Sequence, residues 1–252
     1  MVVDGIVGPQ TFAAVREANA TTDNAEKVYS PYPGLTVNKY FLPPGEYKPG
    51  PTTKDYLFLH HTAGWNNPYN TVDGWAKDDR GTIATEFVLG GSSVKGNDDR
   101  YDGELLQCVP EGGYGWHLGK NGSQSMHTNS VAIEVCNFSY AVNGKTYVNI
   151  PIHEDQLIEL PAPFRGHRHW HKYSDSQIET LRLFILWIAE RDSIDVRAGL
   201  VSEIRKNGAV AFEFNDDAYN GRIKGMWTHT NTRKDKFDLF PQPNLMEMLL
   251  GL

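Results

Sequence analysis

The run Tyr56-Leu57-Phe58-Leu59-His60-His61 limits what this chain can fold into more than any other stretch. It has the apolar character of a buried strand, it ends in a histidine pair, and Thr62-Ala63-Gly64 turns the chain at once. Imidazoles at the carboxyl end of a strand are aimed into a cleft by a rigid element. Far downstream, Trp227-Thr228-His229-Thr230 is a second short apolar strand ending in histidine, followed by Lys236-Phe237-Asp238. Two imidazoles and a carboxylate on separate elements are the donor set of a catalytic zinc site, whose fourth position stays open for water.

Between these two sites the pattern alternates strands and helices. Thr85–Leu89, Leu105–Val109 and Ser130–Cys136 read as strands, the last being the most β-rich and carrying Glu134 out of an apolar run. A helix is expected around Thr71–Lys77. Another starts at Ser174, where Gln177 three residues on completes a capping box, and runs through Ile188. Further helices are expected over Val196–Ile204 and from Pro243, since proline suits a first helical turn. This order predicts an α/β fold, a mixed central β-sheet flanked by helices, in a single catalytic domain over residues 54–252. Residues 26–53 are rich in proline and glycine and read as an extended linker or surface wrap. Residues 1–25 contain a Gly8-Pro9 turn feeding a short helix with Phe12 and Val15 on its apolar side.

Composition narrows the function. A chain of 252 residues, 40% hydrophobic, holds one good-sized domain and a small appendage. A net charge of −7 argues against nucleic acid and against an anionic membrane surface as partners. The longest apolar stretch near the end, Leu245-Met246-Glu247-Met248-Leu249-Leu250, is short and interrupted by a charge. Met1-Val2-Val3-Asp4-Gly5 lacks the basic and apolar regions of a signal peptide, so cytoplasmic synthesis followed by release or delivery is expected. Cys108 and Cys136 lie in apolar, strand-like stretches, as two buried reduced thiols or as a disulfide between neighbouring strands.

In order, Phe58-Leu59-His60-His61-Thr62-Ala63-Gly64, Trp116-His117, Asn129–Glu134, the helix start Tyr173–Ile178, and His229 through Lys236-Phe237-Asp238 together resemble the zinc-dependent N-acetylmuramoyl-L-alanine amidases. That type is shared by phage endolysins, wall-recycling amidases and peptidoglycan recognition proteins. The resemblance covers the chain from about Val37 onward. It implies Zn²⁺ as cofactor, with His60, His229 and Asp238 as ligands, and peptidoglycan as substrate, acted on by a monomer. It implies Glu134 as the general base and Lys236 as the group that stabilises the oxyanion. His117 contacts substrate, buttresses a ligand or serves in packing, and His61 is a substrate-side or packing residue. The N-terminal segment resembles the closing part of a peptidoglycan-binding helical module, as a remnant.

One departure and one decoy stand out. Where a branch of the family has a catalytic tyrosine, this chain has Thr85-Glu86-Phe87, which shifts proton transfer onto Glu134 and leaves Glu86 without a clear role. Gly166-His167-Arg168-His169-Trp170-His171-Lys172 is the densest histidine cluster, but it contains no carboxylate. It reads as a loop forming a polar, aromatic cleft rim, with Trp170 placed to stack on a glycan ring. A non-catalytic recognition module, or wall-degrading cargo of a phage or secretion particle, are the competing roles. The retained His60, His229 and Asp238 oppose the first of these.

Overall fold

The computed structural model describes residues 28–119 and 124–252. The helical remnant expected over residues 1–25 lies outside them. In chain order the elements are β1 Val28–Tyr32, β2 Leu35–Lys39, β3 Tyr56–His61, α1 Pro68–Trp75, β4 Phe87–Leu89, β5 Leu105–Gln107, α2 Gln124–Thr128 and β6 Ser130–Val135. There follow β7 Tyr140–Val142, β8 Lys145–Thr146, β9 Leu157–Phe164, β10 His167–His171, α3 Asp175–Asp192 and α4 Leu200–Asn207. The chain closes with α5 Asp216–Tyr219, β11 Gly225–Thr228, α6 His229–Thr232 and α7 Pro243–Leu250.

The main sheet has seven strands in the order β1-β2-β5-β4-β6-β3-β11. The pairs β4–β6, β6–β3 and β3–β11 are all parallel, so the carboxyl ends of four neighbouring strands share one edge. Every position of β3 is buried, because both faces of the sheet are covered. On one face α3 buries Ile178, Leu181, Phe184, Ile185 and Ile188 against the strands. Its start carries the expected cap: Ser174 Oγ accepts from the Gln177 amide at 3.0 Å while the Gln177 side chain accepts from the Ser174 amide at 3.1 Å. Cys108 and Cys136 are free and buried in an apolar cluster with Leu42, Val72 and Val88. No helix among the described residues is long and apolar enough to cross a membrane.

Within the stretch expected as an extended linker or surface wrap, residues 28–39 form an antiparallel hairpin of β1 and β2, and β2 joins the main sheet alongside β5. Pro31 is tolerated within β1 because that strand lies at the sheet edge, where a missing N–H breaks no ladder. The histidine cluster is not a loop. It is β10, in a second sheet of four strands ordered β8-β7-β10-β9.

Trp170 is likewise no platform for sugar. It is fully buried, stacks on Phe240 with ring centroids 4.4 Å apart, and donates from Nε1 to the His167 carbonyl at 3.1 Å. Trp170→Ala is expected to destabilise the fold by about 3–5 kcal/mol in urea unfolding while leaving KM unchanged. A raised KM with unaltered stability would restore it to the cleft rim.

His171 is buried too; its Nδ1 accepts from the Phe138 amide at 3.1 Å and its Nε2 has no partner. Burial, with smaller contributions from His61 and Lys172, pushes its pKa down to about 3. The unfolded chain therefore takes up a proton below about pH 6.5 that the folded chain refuses, so stability falls on acidification between about pH 6.5 and 3. One such group contributes a slope of up to about 1.4 kcal/mol per pH unit. His171→Asn keeps an acceptor for Phe138 and should flatten that slope by one proton. An identical pH dependence of unfolding in the variant would rule this out.

Candidate active site

The site forms where the parallel strands end. His60 is the penultimate residue of β3 and lies in register beside Glu134 of β6. Thr228 at the end of β11 pairs with Leu59, which places His229 at the same edge as the first residue of α6. Thr228 caps that helix with Asn231, fixing the direction in which His229 leaves the strand. Asp238 returns from the loop beyond α6, its carbonyl accepting from the Thr230 amide at 3.0 Å.

Three donor atoms converge. His60 Nδ1 lies 3.2 Å and His229 Nδ1 3.0 Å from Asp238 Oδ2. All three residues are buried, and they are the one such His/Cys/Asp/Glu group found among the described residues. A tetrahedral zinc ion with bonds of about 2.0–2.1 Å sets its ligand atoms roughly 3.3 Å apart, close to the observed spacing. Two imidazoles and a carboxylate are also donors that a metal takes, the imidazoles neutral once it is bound. Burial and the neighbouring His229 push His60 down to about 4, against the pull of Asp238. Burial alone would raise the Asp238 carboxyl, but the charge and hydrogen bonds of His229 and His60 hold it well below the usual range.

The second nitrogen of His60 is also engaged. Its Nε2 lies 3.0 Å from His117 Nδ1, and His117 Nε2 lies 2.7 Å from Ser130 Oγ, which donates to the His127 carbonyl at 3.3 Å. Through Nε2 this chain orients the His60 ring so that Nδ1 faces Asp238. Both His117 nitrogens are engaged, so of its expected roles the geometry favours buttressing over substrate contact. His61 is 5% exposed, and its Nδ1 lies 2.7 Å from Tyr173 Oη. It supplies part of the cleft floor and is held by packing. Ser130 and Tyr173 were not anticipated as supports, since nothing local in the sequence shows which imidazole each will reach.

A cleft of about 460 Å³ opens over these atoms, lined by Thr85, His117, Glu134, Tyr147, His229, Lys236 and Asp238 among others. A larger groove of about 550 Å³ lies elsewhere, between β9 and α7; its walls are apolar apart from Glu213 and Glu247, and it lacks the chemistry of the cleft. Glu134 Oε2 is buried without a hydrogen-bond partner. Burial and the Asp238 charge push its carboxyl well above the usual range, while Lys236 pulls it back. Thr85 lines the cleft with its hydroxyl turned to the Phe87 carbonyl. Glu86 takes no part. It points away into an ion pair with Arg191, and burial pushes it up to about 7.

A sequence profile of the family described as N-acetylmuramoyl-L-alanine amidase matches residues 50–208, more than half of the chain. The chain belongs to the N-acetylmuramoyl-L-alanine amidase family. Its activity is hydrolysis of the amide bond that joins N-acetylmuramic acid to L-alanine in peptidoglycan. The matched stretch of this amidase holds His60, His117 and Glu134; His229, Lys236 and Asp238 lie beyond it and join the site through the fold. Among solved structures the amidase is similar to AmpD, at 14% identity over 84% of this chain and 92% of that one, with a TM-score of 0.44. It is similar to PlyL at 11% identity over 80% and 85% of the two chains, with a TM-score of 0.45. For AmiD from E. coli, solved with its substrate, the identity is 16% over 68% of this chain and 55% of that one, with a TM-score of 0.36. No curated protein matches the chain in sequence.

Proposed function

We propose that this amidase is a zinc hydrolase, with His60, His229 and Asp238 as ligands, Glu134 as general base and acid, and Lys236 as oxyanion donor. The observation that carries this is the convergence of His60 Nδ1 and His229 Nδ1 on Asp238 Oδ2 at the floor of the cleft. When bound there, Zn²⁺ supplies Lewis acidity, which lowers the pKa of a water to roughly 7 and polarises the scissile carbonyl.

The chain's own residues do the rest. Glu134 Oε2 has no partner of its own, so it is free to accept a proton from the attacking water. The same oxygen then gives that proton to the departing L-alanine nitrogen, which would otherwise leave as a poor anion. Its raised proton affinity suits it to holding the proton between these steps. Lys236 lines the same cleft and carries the positive charge that the developing oxyanion needs. His117 and Ser130 hold the His60 ring in place throughout.

Product analysis with metal analysis tests this reading. Digested peptidoglycan should show new L-alanine amino groups without new reducing sugar ends, and purified protein should carry about one zinc per chain. Full turnover by protein shown to be metal-free would defeat it.

A further inference from the structure

The second sheet sends an arginine side chain to the loop that carries Asp238. Its strands β9 and β10 are joined by Arg165 and Gly166, with φ of +48° and +82°, the two-residue turn of a tight hairpin. The Arg165 side chain leaves this turn and is only 8% exposed. Its Nη2 donates to the Thr230 carbonyl at 3.0 Å, and its Nη1 reaches the carbonyls of Arg233 at 3.0 Å, Lys234 at 2.8 Å and Lys236. Its Nε donates to Glu213 at 3.2 Å. One guanidinium thus gathers four backbone carbonyls from the segment that connects His229 to Asp238.

Thr230 belongs to α6, a single turn, and the last carbonyls of a helix have no partner within it; the other three carbonyls lie just beyond the helix. Only a planar fork of five N–H groups reaches several at once; a lysine ammonium has three donors on a flexible stem. The same sheet grips the segment a second way, since Phe237 packs on Tyr140 of β7 and His167 of β10 with centroids 5.0 and 5.7 Å away. Lys236 and Asp238 flank Phe237, so this packing and the Arg165 bonds together fix the segment that leads into Asp238.

We propose that Arg165 is a positioning residue of the amidase, clamping residues 230–236 so that Asp238 meets the two histidines and Lys236 faces the cleft. The second sheet is then the scaffold of the metal-site loop. This rests on the roles proposed above for Asp238 and Lys236, but its first test does not depend on them.

That test is hydrogen–deuterium exchange over residues 229–238 in the metal-free, full-length chain, comparing wild type with R165M, R165K and E213Q. The Thr230 and Arg233 amides are protected by bonds inside this segment. In R165M they should exchange about a hundredfold faster while the rest of the chain keeps wild-type protection. R165K should be intermediate and E213Q close to wild type, because the carbonyls and not the carboxylate are the object of the clamp. Zinc affinity in R165M should fall about 10–100-fold by chelator competition, as when an outer support of a ligand is removed. Its kcat should drop with KM unchanged. Unaltered exchange over 229–238 in R165M overturns the proposal. So does loss of protection throughout the chain, which would make Arg165 a general stabiliser; should R165M fail to fold, R165K is read by the same criteria. Equal loss in E213Q overturns it as well. If wild-type protein binds no zinc, the ligand assignment falls while the exchange result still decides the role of Arg165.

Discussion

Replacing His229 with alanine should yield a folded chain that no longer holds zinc and no longer cleaves the muramoyl–alanine amide. His229 is the first residue of α6, and its Nδ1 lies 3.0 Å from Asp238 Oδ2, so the substitution removes one of three converging donors. A carboxylate and one imidazole cannot hold a catalytic zinc against chelation, because structural and catalytic sites rest on at least three protein ligands. The ion's stabilisation of transition-state charge is worth several kcal/mol, so turnover should fall by at least about a thousandfold. The loss also reaches Asp238, whose carboxyl is held ionised chiefly by the charge and hydrogen bond of His229. Zinc by elemental analysis and single-turnover assays on the same preparation measure both effects. His169→Ala, on the half-exposed face of β10, is the control and should retain full zinc. Because bound metal joins β3, α6 and the following loop, adding zinc should raise the melting temperature of wild type and not of the variant. A stoichiometric zinc content in His229→Ala would show that the ligand set is wrong.

The parts of this site that were legible in the sequence were those written locally. β3 and β11 announce themselves as apolar runs with a histidine at the end, and Ser174 with Gln177 marks a helix start without reference to anything distant. What was not legible depends on partners far along the chain. His167-Arg168-His169-Trp170-His171 has too few apolar positions to read as a strand. It becomes one because β7 and β9 pair with it and because Phe240 covers Trp170. The prolines near Tyr32 suggested a linker because they discourage central strands, yet an edge strand meets that same restriction. Arg165 sits in an ordinary Arg-Gly turn. Only the fold shows that its guanidinium lands on the carbonyls of the loop carrying Asp238.

Glu134→Gln separates metal binding from proton transfer. Glutamine keeps the size of the side chain and its ability to hydrogen bond, but it cannot take a proton from water. Glu134 is in register beside His60 on the neighbouring strand, yet it is not among the converging donors, so zinc content and fold should survive the change. The β6 backbone ladder to β3 and β4 does not depend on the side chain. No tyrosine stands at residue 85, and the Thr85 hydroxyl is already committed to the Phe87 carbonyl, so no neighbouring group there can take over the proton. General acid–base groups contribute about a hundredfold to ten-thousandfold, and kcat should drop by that much with little change in KM. Near wild-type turnover would reduce Glu134 to a buried carboxyl that merely lines the cleft, leaving Lys236 as the remaining protein group for the chemistry. Loss of zinc in the folded variant would instead place Glu134 among the ligands. Asp238 would then have to be re-examined by the same substitution to asparagine, since its charge is what raises the proton affinity of Glu134 after burial itself.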